Sequence, residues 1–477
     1  MYKLYTEDIL TWAQEYKGER FMACLCDPPY HLTSIVKRFG KEGSAPAQFG
    51  TDGVFSRHSG GFMGQQWDGG DVAFRPETWK AIGDCLLPGA YLLAFGGTRT
   101  WHRLAVAIED AGFEIRDTVM WVYGSGFPKS HDVSKAIDRQ AGVDRDVIGL
   151  SENSRNPHNR DNKIDGGFAM GDIHITSPST DMAKTWDGYG SALKPAFEPI
   201  IIARKSLDGT IAQNCVQYGS GALNIDGCRV PTNPEIDDML RETTRGKRQT
   251  ETWETGSGFK NENNHLTGVP ENGRWPANLI HDGSEEILKE LPSSKSSPVG
   301  FRGVGWKHSG NTKDEMTKME YQNAFNDSGS AARFFYCAKA SKRERDAGCE
   351  EMEESEQDHN RFDKCAKCGG YLLQNPDRPS ACKCEEPERI HAKSRNSHPT
   401  VKPLALTEYL ARLILPPVEY APRRILVPFS GAGSEMIGAH QAGWDEIVGV
   451  ELSEEYTKIA EARLKHWTSI PKQMEFK

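Results

Sequence analysis

The chain has 477 residues, enough for two or three domains, with 58 basic and 67 acidic residues and a formal net charge of −9. That balance is not the overall footprint of a nucleic-acid binder. No apolar run approaches the ~20 residues of a membrane span, and the N-terminus lacks a signal peptide's apolar core, so a cytoplasmic protein is expected.

In chain order, Lys3-Leu4-Tyr5 reads as a short strand, and Thr6-Glu7-Asp8 as the cap of a helix running to Glu15. The apolar run Phe21 to Cys26 reads as a buried strand. From its end project Asp27, Pro28, Pro29 and Tyr30. The bland reading is a Pro-Pro turn capped by aspartate. The functional one is a holder for an exocyclic amine: the acid accepts hydrogen bonds, the prolines fix the backbone carbonyls, and the ring offers a flat face. The carboxyl edge of an open α/β sheet is where such a group would bind a ligand. Residues 31–70 are rich in Gly and Ser with scattered aromatics, as in a loop able to close over substrate. His31 reads as a loop residue. A helix is expected over Thr78 to Cys85, a turn at Pro88-Gly89, a strand over Ala90 to Phe95, a helix over Trp101 to Ala111 and a strand over Glu114 to Tyr123. This alternation predicts an α/β, doubly wound sheet.

Residues 131–190 turn polar, with little periodicity. A strand returns over Leu193 to Ala203, a short helix over Thr210 to Tyr218, and a hairpin edge over Gly221 to Val230. Residues 231–330 hold Gly, Asn, Thr and charge with scattered Trp, and Arg333 to Lys339 re-enters the core as a strand. The basic runs at Arg241–Arg248 and Lys339–Arg345 read as solvated surface sooner than as DNA contacts.

Near the C-terminus, Arg424 to Pro428 is a strand running into Phe429-Ser430-Gly431-Ala432-Gly433. A helix follows over Glu435 to Ala442, then a strand ending in Glu451. Strand, Gly-x-Gly turn, helix and terminal acid make a nucleoside-cofactor layout. Gly431 and Gly433 let the backbone approach the ligand, and Glu451 can accept both ribose hydroxyls. There is no third glycine at dinucleotide spacing and no Gly-Lys-Ser/Thr, which argues against NAD and ATP.

Four stretches carry a family resemblance: Asp27-Pro28-Pro29-Tyr30, the Phe429–Gly433 loop, Ser397-His398-Pro399-Thr400-Val401-Lys402-Pro403, and Ala111–Asp117 with Trp121–Ser130. Together they resemble the amino-methylating DNA methyltransferases that use S-adenosylmethionine, of phage or bacterial type. The catalytic motif preceding the cofactor loop is the order of the β-type circularly permuted class. The resemblance covers roughly residues 1–130, 190–230 and 330–465. It implies a Rossmann-like methyltransferase sheet, circularly permuted, with a polar target-recognition insertion. On this reading 1–130 is the catalytic half, 131–190 a polar insertion, 191–230 the end of the catalytic half, and 231–330 the target-recognition region, the alternative being an insertion with no role in base reading. Residues 331–349 return to the core, 350–395 are an acidic segment with a zinc knuckle, and 396–470 are the cofactor-binding half.

The resemblance implies that Phe429, Ser430, Gly431, Gly433 and Glu451 hold the cofactor, and that Thr400, Lys402 and Pro403 line its methionine end. Asp8 is either a cofactor-adenine contact or a plain helix cap. Asp27, Pro28, Pro29 and Tyr30 are the implied catalytic residues. An adenine amine is a poor nucleophile because its lone pair is conjugated into the ring; hydrogen bonds to the Asp27 carboxylate and the Pro28 carbonyl favour a pyramidal nitrogen. The base must leave the duplex, and Tyr30 would stack on it, worth about 1–3 kcal/mol. Asp at the head of the motif points to adenine, since cytosine-amino relatives often carry serine there. Carbon-5 methylation needs a cysteine nucleophile, usually in a Pro-Cys pair, and the chain has none. The implied partner is double-stranded DNA, with no membrane; a cognate restriction enzyme and the oligomeric state are left open, as are cytosine, RNA or protein substrates and an inactive DNA-binding relative.

Cys365-Ala366-Lys367-Cys368 and Cys382-Lys383-Cys384 flank a segment with a Gly-Gly turn. Four thiolates so spaced read as a structural Zn2+ knuckle, ahead of an iron–sulfur or redox pair. The other seven cysteines are scattered, as in a reducing compartment.

Overall fold

In the computed structural model the described residues are 1–30, 71–124, 126, 130–150, 174–231, 273–295, 328–338, 344–352, 355–356, 364–365, 389–390, 393–396, 398 and 400–469. The chain divides into two compact units of several segments each. The first comprises Met1–Gly124, Phe197–Ser341 and Lys402–Glu454, and the second Ser125–Ala196, Lys342–Val401 and Glu455–Lys477.

The first unit is built on one nine-stranded sheet. Its strands are β1 (Tyr2–Thr6), β2 (Phe21–Cys26), β3 (Leu86–Phe95), β4 (Phe113–Val122), β5 (Phe197–Lys205), β6 (Leu279–His281), β7 (Tyr336–Cys337), β8 (Arg424–Pro428) and β9 (Glu446–Glu451). They lie in the order β1-β9-β8-β2-β3-β5-β4-β6-β7. All neighbours are parallel except at β5, which runs antiparallel to both β3 and β4. Parallel strands are covered on both faces, so they read as continuous apolar runs rather than as alternations. Phe21, Ala23, Cys24, Leu25 and Cys26 are accordingly all fully buried.

On one face, Cys24, Cys26, Leu92, Ala94 and Leu426 share a core with three helices, α1 (Ile9–Glu15), α2 (Pro76–Asp84) and α3 (Trp101–Asp110). These contribute Ile9 and Trp12, Trp79 and Ile82, and Leu104 and Ile108 respectively. The Trp79 indole meets its polar need inside the core by donating to the Ala73 carbonyl at 2.8 Å. Helices α4 (Ile211–Tyr218), α5 (Leu404–Leu413) and α6 (Ser434–Ala442) complete the unit's main helices. Thr210 closes a capping box on α4 with Gln213.

Two local expectations are corrected. Pro88-Gly89 does not end a segment before the strand. Leu86 pairs with Phe21 and Tyr91 with Ala23, so residues 87–90 bulge opposite Met22 within β3. Gly89 takes a φ of +74° there, and Ser220 donates to the Pro88 carbonyl at 2.6 Å. Over Gly221 to Val230 no hairpin forms. The segment makes a single 3-10 turn at Asp226–Cys228, and Val230 bridges Arg274. That bridge closes the neck of the 231–272 stretch, whose interior lies outside the described residues.

In the second unit, the polar stretch after residue 130 contains a helix, Val133–Ala141, capped by Asp132 and ended by Gly142 in the left-handed region. Its Asp138 is buried and accepts from the Ser179 and Thr180 amides, both at 3.0 Å. Low overall hydrophobicity hid this helix, because its inner face is satisfied by hydrogen bonds rather than by apolar packing. Among the described residues no helix is long and apolar enough to cross a membrane.

Candidate active site

Strand polarity brings the site together. β1, β9, β8, β2, β3 and β4 point their carboxyl ends to one edge of the sheet, and antiparallel β5 brings its first residues to the same edge. Asp27–Tyr30 leave β2 there. Gly96 and Gly97 leave β3 beside them; a side chain at Gly97 would press on the Tyr30 ring. Thr100 donates to the Tyr30 carbonyl at 2.8 Å, so the turn after β2 is anchored to the start of α3.

Three charged side chains and one neutral phenol meet at this turn. Lys402, just before α5, sits 2.7 Å from Asp27 Oδ2 and 3.2 Å from Glu198 Oε2, and donates to Tyr30 Oη at 3.1 Å. The Tyr30 hydroxyl donates to Glu198 Oε2 at 3.2 Å. The Lys402 ammonium also lies 4.9 Å from the Phe95 ring centroid and 5.3 Å from that of Tyr30. Burial alone would depress the Lys402 pKa, but the Asp27 and Glu198 carboxylates outweigh it and hold the ammonium above its ordinary value. Burial, then the charges of Asp27 and Glu198, push the Tyr30 phenol well above its ordinary range. Tyr123, following β4, is pushed up to about 12 by burial and by Glu198. Both phenols therefore stay neutral. Asp27 Oδ1 is buried and has no hydrogen-bond partner among the described residues. A buried carboxylate oxygen left without a donor costs free energy, and such atoms are rare in finished interiors.

A second cluster forms where β8 ends. Phe429 takes a φ of +56°, the left-handed region that a side chain normally avoids. Its ring packs against the α1–α2–α3 core, 6.4 Å from the Trp79 ring, which holds the backbone in that shape. Gly431 and Gly433 follow with φ of +48° and +77°. The Gly431 amide donates to Glu451 Oε2 at 2.8 Å, and the Ser453 amide to Oε1 at 2.9 Å. Burial pushes the Glu451 pKa up; the Ser453 and Gly431 amides act against that rise. Ser430 is buried, and its Oγ has no hydrogen-bond partner among the described residues.

The expected residues are only partly gathered. Asp27, Pro28, Pro29, Tyr30, Lys402 and Pro403 meet around one turn, and Phe429, Ser430, Gly431, Gly433 and Glu451 around a neighbouring one. Asp8 caps α1, accepting from the Leu10 and Thr11 amides at 3.0 and 3.2 Å. Thr400 belongs to the other unit and is exposed. Cys365 is described in its backbone alone, and Cys368, Cys382 and Cys384 lie outside the described residues, as do His31 and the 31–70 loop. No metal-holding group of three or more His, Cys, Asp or Glu occurs among the described residues. Glu198 was not expected. The signal for it is an acid near the start of an otherwise apolar strand, Phe197-Glu198-Pro199-Ile200-Ile201-Ile202.

Comparison with known proteins yields one family match, to the N6/N4 DNA methylases, over residues 22–462. No curated protein matches the chain. Among solved structures, M1.HpyAVI in complex with SAM is 11% identical, with a TM-score of 0.32, over 97% of this chain and 99% of that one. The PvuII DNA methyltransferase, cytosine-N4-specific, is 9% identical, with a TM-score of 0.38, over 97% of this chain and 86% of that one. The family match takes in most of the chain, from within β2 to beyond Glu451, and on that ground the chain belongs to the DNA methylase family.

Proposed function

We propose that the protein is a site-specific DNA methyltransferase of the β-type permuted class, which moves a methyl group from S-adenosylmethionine to the N6 amine of an adenine flipped out of double-stranded DNA. The observation that carries this reading is Asp27. One of its oxygens is engaged by Lys402, and the other is buried and unpartnered among the described residues, at the carboxyl edge of the sheet. A carboxylate held in this way leaves Oδ1 free to accept, and an exocyclic amine is a donor that suits it.

S-adenosylmethionine, when bound, supplies an electrophilic methyl group on a sulfonium. The Phe429–Gly433 turn and Glu451 are the residues to hold it, with Asp8 toward its adenine and Lys402 and Pro403 toward its methionine end. The buried Ser430 hydroxyl, without a hydrogen-bond partner among the described residues, supports a polar ligand at that turn. Asp27 Oδ1 and the Pro28 carbonyl each accept a hydrogen bond from the amine and favour a pyramidal nitrogen, while Tyr30 stacks on the base. The remainder is orientation, which can supply roughly 7–11 kcal/mol in the best cases. Adenine is preferred to cytosine because aspartate, not serine, heads the motif.

The four cysteines are read as a structural zinc knuckle. Lys364–Cys365 pairs antiparallel with Arg389–Ile390. Four soft thiolates suit a tetrahedral Zn2+.

The test is transfer of radiolabelled methyl from S-adenosylmethionine to unmethylated DNA, followed by nucleoside analysis, with Asp27→Ala as control. Methyladenine that disappears in the variant is the expected result. Methylcytosine would keep the mechanism and overturn the base. No label on DNA would overturn the reading.

A further inference from the structure

Two carboxylates at the catalytic turn share one cation. Lys402 has three N–H donors, and all are spent within the turn, on Asp27 Oδ2, Glu198 Oε2 and Tyr30 Oη. Glu198 is held in place by the β5–β4 ladder, where it pairs with Trp121, and by the Tyr30 hydroxyl. Counting Asp27, Glu198 and Lys402, the cluster carries one net negative charge.

That count matters for Asp27. An ammonium paired with a single carboxylate draws that carboxylate's charge to itself and weakens its free oxygen as an acceptor. Sharing the ammonium with a second carboxylate leaves more negative charge on the first. We infer that Glu198 is a positioning residue for methyl transfer: by taking part of Lys402, it keeps the free Oδ1 of Asp27 a strong acceptor for the target amine. The inference rests on the reading of Asp27 as the amine's acceptor, and extends it to a side chain on a different strand. It also gives the site its charge balance. A net negative cluster would suit a methyl donor that is a sulfonium and an amine that becomes cationic as it is methylated.

The titratable groups around Asp27 and its Lys402 partner come from several elements. Tyr30 on the same turn, Glu198 on β5 and Cys26 on β2 interact with Asp27 or Lys402, and Tyr123 after β4 and the buried Glu435 on α6 interact with Lys402. The two phenols are neutral, and the Cys26 thiol is held well above its ordinary value by burial. Glu435 is unchanged by the substitution proposed below, so the shift it would produce is assignable to Glu198.

The experiment is the pH profile of kcat for methyl transfer to DNA, with KM for S-adenosylmethionine and for DNA, in the full-length wild type, Glu198→Gln and Glu198→Asp. Glutamine keeps the acceptor and removes the charge. Lys402 then pairs with Asp27 alone and draws more of its charge, so the acid limb of kcat moves down by about one pH unit or more. The rate on the plateau falls by about tenfold, the equivalent of one such unit, with both KM values unchanged. Aspartate keeps the charge on a shorter stem, so its acid limb stays at the wild-type pH. Should Glu198→Gln not fold, as judged by thermal melting, Glu198→Ala takes its place as the charge-removing variant: a lower limb and a slower plateau support the inference, and wild-type values overturn it. Wild-type limb and rate in Glu198→Gln, or equal shifts in both variants, would also overturn it and leave the proposed function standing. A wild type that labels no DNA would overturn both.

Discussion

The amide of Gly431 donates to the carboxylate of Glu451 at 2.8 Å, so the glycine turn after β8 and the acid at the tip of β9 are joined before any ligand is considered. With Ser453 on the other oxygen, the carboxylate is aimed, and it retains acceptor capacity on both oxygens for a ribose.

Glu451 makes cofactor binding depend on pH. Burial raises its pKa above the usual glutamate value of 4.5. Accepting two hydroxyls requires the ionised form, so binding favours the deprotonated carboxylate. The Kd for S-adenosylmethionine should fall as pH rises through the raised Glu451 pKa, and level off above it. Proton release on binding should accompany the rising part. Calorimetric titrations across that range, in buffers of different ionisation enthalpy, measure both. A Kd indifferent to pH would refute the assignment of Glu451 to the ribose.

Replacing Asp27 by Asn removes the charge and keeps the shape. Hydrogen bonds to charged groups contribute about 1.5–3 kcal/mol, so single-turnover methyl transfer should slow about tenfold to a hundredfold. Cofactor binding should persist, because Glu198 still partners Lys402. Loss of cofactor affinity equal to the loss of rate would count against a catalytic role.

Lys402→Met leaves two carboxylates without their counterion. Removing one partner of a buried pair costs about 3–5 kcal/mol. The lower end is expected here, because Glu198 is 23% exposed and water can relieve it. Urea denaturation at neutral pH should show the loss. It should shrink as pH falls and the carboxyls protonate.

Gly438→Ala tests the helix pair behind the cofactor turn. A side chain there would run into the Thr407 hydroxyl and backbone, where α5 and α6 cross. Overpacking of this kind costs about 1–3 kcal/mol, to be read as a lower urea midpoint. An unchanged midpoint would mean the helices can part freely.

The zinc knuckle predicts Zn2+ in stoichiometric amount in the purified chain, lost in Cys365→Ser. Elemental analysis after exhaustive dialysis checks it. A zinc-free chain with full activity would dismiss the site.

What was legible in the sequence is what is local. Asp27–Tyr30 follows directly from an apolar strand that must end. The Phe429–Gly433 turn joins its own strand to its own helix, and Glu451 closes the strand that comes next. Strand, turn and helix are dictated over a dozen residues by apolar runs and by glycines that accept positive φ. Local sequence thus places the two turns and the alternation of elements around them.

Tertiary structure decided who partners whom. Nothing near Asp27 in the chain announces Lys402, because the pairing depends on β8 lying beside β2 in the sheet and on α5 starting at the same edge. Glu198 was read only as part of a strand. It reaches Lys402 because β5 runs antiparallel, which turns its first residues, rather than its last, toward the edge where Asp27 lies. Strand direction is set by the packing of the whole sheet and leaves no mark on the strand's own residues. A charge near the start of a buried strand acquires its role only when the fold chooses the neighbour.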